Sequence, residues 1–195
     1  MREHLRTESR PPRGGWLVVA LAWAVVCAVP AHGGTPIPVG ARAGLDLARS
    51  AAGSWSPDAT LIYIENDDPV DAAGHTTRWG YLFYSARRDQ ARAYSVRDGH
   101  IVVAEDLAMR FTAPPLGAEW IDSDAALAAA RPEVMRAFAH PVETRLTAML
   151  LLRGAFDDDD PNRATWTLVY AAPGAPGLFV MVDATDGRVR KTWRG

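Results

Sequence analysis

The chain has 195 residues, with 21 Lys+Arg against 23 Asp+Glu, a formal net charge of −2 and 48% hydrophobic residues. That balance excludes a disordered, collagen-like or multi-span membrane protein, and the lack of a basic excess argues against a nucleic-acid partner. The length suits one domain of ordinary size or two small ones.

Taken in chain order, the sequence opens with Arg2, Arg6, Arg10 and Arg13, followed by the uncharged run Trp16–Val29 and the small-residue exit Pro30-Ala31. A basic start, a short apolar stretch and small residues describe a secretory signal peptide, here residues 1–31 with cleavage after Ala31. The run falls short of the roughly 20 residues a spanning helix needs, so no stable membrane insertion is expected after cleavage. The protein is therefore expected to be exported, periplasmic or extracellular. Cys27 is the only cysteine and lies in the segment removed. The remainder can form no disulfide, carry no thiol nucleophile and build no cysteine–zinc site. Loss of four Arg and two Glu takes the net charge from −2 to −4.

The rest of the chain reads as two blocks with one order of features. Each begins with a helical segment, about 41–52 and 123–131. Each continues with an apolar run, Leu61–Ile64 and Met149–Leu152, then an acidic loop ending Asp67-Asp68-Pro69 and Asp159-Asp160-Pro161. A Trp-headed strand follows, Trp79–Tyr84 and Trp166–Tyr170, with alternate side chains facing one way. Each block then reaches an Asp-Gly turn, Asp98-Gly99 and Asp186-Gly187, read as a two-residue hairpin because both positions accept positive φ. Gly80 marks a bulge or a close backbone contact. In the second helix Asp122 or Ser123 supplies the cap, and Pro132 is expected to end it and start a short helix over 133–139. Residues 172–177, APGAPG, read as a loop. The expected fold is α+β, α-β-β-β-β twice: a first module at 32–111, a linker at 112–118 and a second module at 119–195, each helix covering one face of an antiparallel sheet.

Phe179–Val189, with Val182-Asp183-Ala184 before Gly187 and Val189, resembles the closing hairpin of PepSY-type domains, and Tyr94–Val102 resembles a degraded version without the Asp-Ala pair. The resemblance implies a helix-plus-antiparallel-sheet fold, an extracytoplasmic setting and a regulatory or inhibitory role toward a peptidase, with no shared catalytic centre. The tandem layout is also similar in architecture to secreted beta-lactamase inhibitory proteins, whose two helix-plus-sheet repeats form a concave protein-binding surface.

Candidate sites follow from the remaining chemistry. Asp157, Asp158, Asp159 and Asp160 are four clustered carboxylates. Without EF-hand spacing they read as a solvated hairpin, and only weakly as a Ca²⁺ site, with Glu65, Asp67, Asp68 and Asp71 as the matching loop. His32, His75, His100 and His140 lack metal-binding spacing, and there is neither a nucleophile elbow nor a phosphate-cradling glycine loop. No cofactor and no catalytic residue is predicted. Apolar residues on both faces of the expected strands are more than one helix layer covers, so a binding surface on the open sheet face is predicted at Tyr84, Phe179 and Met181. The leading expectation is a non-catalytic protein- or peptide-binding module. The alternatives are an extracytoplasmic small-ligand or metal-binding protein, and a secreted enzyme with an unseen site.

Overall fold

A computed structural model describes residues 35–108, 113–138, 143–155 and 160–195; the expected signal segment 1–31 lies outside them. Among the described residues two helices and eight strands follow in chain order as α1 (Leu45–Trp55), β1 (Thr60–Asn66), β2 (Trp79–Ser85), β3 (Gln90–Arg97), β4 (His100–Asp106), α2 (Ser123–Ala137), β5 (Arg145–Arg153), β6 (Ala164–Ala172), β7 (Ala175–Asp183) and β8 (Val189–Arg194). The fold is α+β. All eight strands form one antiparallel sheet in the order β4-β3-β2-β1-β5-β6-β7-β8.

Alternation builds the main core. Trp79, Tyr81 and Phe83 of β2, Trp166, Leu168 and Tyr170 of β6, and Leu178, Val180 and Val182 of β7 face one way. Both helices cover that face, α1 through Leu45, Ala48 and Ala52, α2 through Ala126, Ala130 and Val134. Small alanines on the helices let the backbone approach the large rings beneath. At the centre Trp79 and Trp166 meet edge to face with centroids 6.1 Å apart, and Trp120 meets Trp166 the same way at 6.1 Å. Each indole of the central pair is satisfied by the chain leading into a helix: Trp79 donates to the Val39 carbonyl and Trp166 to the Ile121 carbonyl, both at 2.9 Å. A second, smaller cluster of Ile62, Leu82, Ala91 and Leu107 lies apart from the main core.

Three local readings change. Helix α2 runs unbroken through Pro132. Pro132 and Ala128, whose carbonyl loses its amide partner to the ring, are both exposed, so water can satisfy the freed group. The two Asp-Gly pairs make different turns. Asp98 and Gly99 have φ of 49° and 71°, whereas in the second only Gly187, at 73°, is left-handed. There the Asp183 carboxylate accepts from the Thr185 amide (2.8 Å) and from Arg163 (2.5 Å), shaping a five-residue loop. Finally, residues 172–177 are mostly strand: Ala172 pairs Ala175 across a Pro173-Gly174 turn.

Residues 107–108 and 113–122 carry no helix or strand and lead from β4 to α2. On this path Leu116 inserts into the main core, 2% exposed, and its amide donates to the Leu61 carbonyl (2.9 Å).

Candidate functional site

The seam between the two halves of the sheet is short. Only Tyr63, Ile64 and Glu65 of β1 pair with Leu152, Leu151 and Leu150 of β5. Beyond Asn66 the chain leaves the sheet in the loop 67–78. This loop is held by its own polar groups: the Asp71 carboxylate accepts from the amides of Ala73 (2.8 Å) and His75 (2.9 Å). Gly74, at φ 86°, docks on α2, where a Cβ would lie 2.8 Å from the Asp124 Cα. Between this loop, α2 and the start of β5 lies an open groove of about 910 Å³.

Val70 of the loop, Leu127, Val134 and Met135 of α2, Leu146 of β5 and Tyr170 of β6 give the groove an apolar lining. Met135, which lines the groove, is 60% exposed. Tyr170 is 5% exposed, and its buried phenol oxygen has no hydrogen-bond partner among the described residues. Burial pushes the phenol above its ordinary value, with Arg131 pulling the other way. Arg131 and Arg145, both exposed, also line the groove. The acids on the opposite wall are already engaged. Asp68 accepts from Thr77 (2.6 Å) and Arg97 (2.6 Å) and lies 3.2 Å from Arg78. Burial opposes its ionisation, but those partners hold the carboxyl below its ordinary value.

A second polar cluster sits around Gly80. Tyr63 donates to Glu65 (2.8 Å) and Ser95 to Asp67 (2.5 Å), with Arg78 3.6 Å from Asp67. Burial pushes Glu65 up to about 7, against the Tyr63 hydrogen bond and with help from the Asp67 charge. Burial also raises Asp67, against Ser95 and Arg78. The register of β2 runs unshifted past Gly80, so the glycine serves close contact: a Cβ there would meet the Asp67 Oδ1 at 2.8 Å. The cleft at this cluster holds about 50 Å³, room for a water or two but not for an organic substrate.

The residues singled out from the sequence are not brought together. Tyr84 lies on β2 beside the small second cluster, its hydroxyl donating to Asp89 (2.9 Å). Phe179 lies on β7, half-buried and stacked on Trp193 at 5.0 Å. β2 and β7 are four strands apart, roughly 19 Å at about 4.8 Å per step. Met181 is 1% exposed, so it presents no surface, and the predicted patch of Tyr84, Phe179 and Met181 does not form. Met181 alternates with the core residues Val180 and Val182, which puts it on the other face of β7 beside its register neighbours Thr167 and Lys191.

Of the acidic run, Asp157, Asp158 and Asp159 lie outside the described residues, and Asp160 pairs with Arg163 at 2.8 Å. β1 and β5 are antiparallel, so the loops that follow them leave from opposite ends of the sheet. Among the described residues no group of three or more His, Cys, Asp or Glu is placed to hold a metal. His100 is exposed, its Nδ1 2.7 Å from the Asp98 carbonyl oxygen, while His75 belongs to the loop beside α2, and His32 and His140 lie outside the described residues. No helix among the described residues is long and apolar enough to cross a membrane.

The sequence pattern places Tyr170 on a strand face and Met135 in a separate short helix over 133–139, and so does not bring the two together. The usable signal was Met135 itself, which one continuous helix places away from the core positions Ala126, Ala130 and Val134.

No protein-family model matches the chain, and no curated protein matches it. Among solved structures it is similar to a candidate lipoprotein of Clostridium difficile 630, at 10% identity and a TM-score of 0.49, over 78% of this chain and 93% of that one.

Proposed function

We propose that the protein is an exported, non-catalytic module that binds a protein or peptide partner in the groove between the 67–78 loop, α2 and β5. The observation that carries this reading is the groove's lining: an open trough in which Val70, Leu127, Leu146 and the exposed Met135 lie among the charged side chains of Arg131 and Arg145. Apolar surface of this kind is retained where something covers it. An open trough suits a macromolecular partner better than the closed cavity a small ligand prefers. Export rests on the basic and apolar pattern of residues 1–31. The PepSY resemblance makes a peptidase, or another secreted protein, the partner class to examine first.

Duplication of one α-β-β-β-β unit, 32–111 and 119–195, is part of the same reading. Support comes from irregularities that recur at matching places. β1 bulges between Leu61 and Tyr63 against β2, as β5 does between Leu146 and Ala148 against β6. The closing hairpins bulge between Ser95 and Val96 and between Met181 and Val182. The Val39 and Ile121 carbonyls receive the two central indoles. Bulges are costly to invent twice and tend to be inherited.

The test is affinity capture of cell-envelope and secreted proteins on the purified protein and on its Met135→Glu variant. A partner held by the wild type and released by the variant is expected. Capture of the same proteins by both, or of none by either, would overturn the reading.

A further inference from the structure

Part of the groove wall is strand edge. The seam pairing stops at Leu150, and Asn66 closes it by accepting from the Met149 amide through its side-chain oxygen (2.6 Å). Residues 145–148 therefore pair with β6 on one side and have no strand partner on the other among the described residues. Such an edge, open among the described residues beside the groove, is a template for an added strand.

β1 shows what an edge of this kind takes. Leu61 stands to the β1 bulge as Leu146 stands to the β5 bulge. Beside Leu61 lies the chain's own segment Pro114–Leu116. Leu116 donates to the Leu61 carbonyl (2.9 Å), Arg153 at the end of β5 donates to the Pro115 carbonyl (3.0 Å), and the Leu116 side chain is buried in the main core. Beside Leu146 no described segment holds the matching place. Charge adds a second specification. Arg131 and Arg145 line the groove without an ion pair among the described residues, whereas Asp67 and Asp68 across from them are matched by Arg78 and Arg97. Asp71 also lines the groove with no cation partner among the described residues, its carboxylate accepting from the Ala73 and His75 amides, so two guanidiniums stand against one carboxylate and the positive excess suits an acidic occupant.

Resting on the peptide-binding reading and refining it, we propose that the groove takes an extended acidic peptide from a partner protein. The peptide adds as a strand along residues 145–148, seats an apolar side chain by Leu146 and Tyr170, and sets a carboxylate against Arg131 and Arg145. The main chain supplies affinity and the side chains supply register, as in other strand additions.

The experiment selects short random peptides on the protein purified after expression with its own N-terminal segment, then synthesises the consensus. Acidic sequences with alternating apolar residues are expected. The consensus peptide should slow amide hydrogen exchange over 145–148, and N-methylation of alternate peptide amides should cost about tenfold or more in Kd. Arg131→Ala with Arg145→Ala, both at exposed positions, should cost a similar factor while leaving the unfolding midpoint unchanged. Tight binding by the N-methylated peptide, or protection elsewhere, would overturn strand addition and leave peptide binding standing. Neutral or basic consensus sequences, or full affinity in the Arg variants, would overturn the acidic assignment. A library without binders would overturn the whole proposal, while envelope capture, which includes folded partners, decides the broader reading separately.

Discussion

Glu65→Gln tests the electrostatics of the seam. Glu65 is the last residue of β1 paired with β5, partly buried, and accepts from the Tyr63 hydroxyl. Gln keeps an acceptor for that hydroxyl and removes the charge. A carboxyl moved from an ordinary 4.5 to about 7 holds its proton more tightly in the folded than in the unfolded chain, by about 3 kcal/mol in full. Residual solvent contact reduces this to about 2 kcal/mol. The sign follows from linkage. Below about 4.5 the group is protonated in both states and the folded state has its full stability; as pH rises to about 7 that stability is lost, and above 7 the loss levels off. Glu65→Gln should therefore be more stable than wild type by about 2 kcal/mol near pH 8, the advantage shrinking steadily toward about pH 5. Urea unfolding followed by tryptophan fluorescence reads this as a midpoint shift of about 1 M near pH 8. A gap independent of pH, or a carboxyl titration by NMR centred near 4.5, would refute the reasoning.

Three further substitutions probe separate contacts. Gly80→Ala puts a Cβ 2.8 Å from the Asp67 carboxylate and should displace it from Ser95, costing about 1–2 kcal/mol in urea unfolding; Ser95→Ala in the same background should then add little. Asp183→Ala removes a 1% exposed carboxylate that accepts from Thr185, Asp186 and Arg163, and should cost about 2–3 kcal/mol at neutral pH. Burial opposes ionisation of Asp183, but those donors hold it below its ordinary 3.8, so its contribution is present above that value and lost as pH falls through the folded one; the variant should therefore flatten the acid limb of the stability profile. Trp166→Phe loses the indole bond to Ile121 and trims two edge-to-face contacts, and should lower stability by about 2 kcal/mol in calorimetry.

The strands were legible because the main core takes every second side chain: Trp79, Tyr81 and Phe83, then Trp166, Leu168 and Tyr170, then Leu178, Val180 and Val182. The Asp98-Gly99 turn was legible because its chemistry is local. Asp186-Gly187 was not: the buried Asp183 reshapes that loop through long-range pairing with Arg163. The run through Pro132 was also hidden, since whether a helix survives proline depends on where its orphaned carbonyl points. The antiparallel junction of β1 with β5 has no local signature at all. That junction sets which loops share an end, so β1 and β5, alike in sequence, send the chain out at opposite ends of the sheet. The groove depends on where β1 stops pairing and its loop swings away, which no residue pattern announces.

The same junction links stability to the proposed binding. Three residue pairs of ladder are too little to hold two halves of a sheet together. Beyond the ladder the halves are joined by Trp79 against Trp166 in the shared core, by the Arg42 guanidinium 3.9 Å over Trp120, and by the Ala41 amide donating to Ser123 Oγ (3.2 Å). A strand added along 145–148 would continue the ladder where β1 leaves it and press the 67–78 loop against α2. Binding restricted to the assembled sheet must then stabilise it by mass action, about 2.7 kcal/mol at a ligand concentration a hundred times Kd. The gain should appear as later, equally cooperative unfolding of both halves, since Trp79 and Trp166 cannot separate without opening the core they share. If bound peptide shifted the unfolding of only one half, the halves would be independent units that merely touch, and the seam could not carry the coupling.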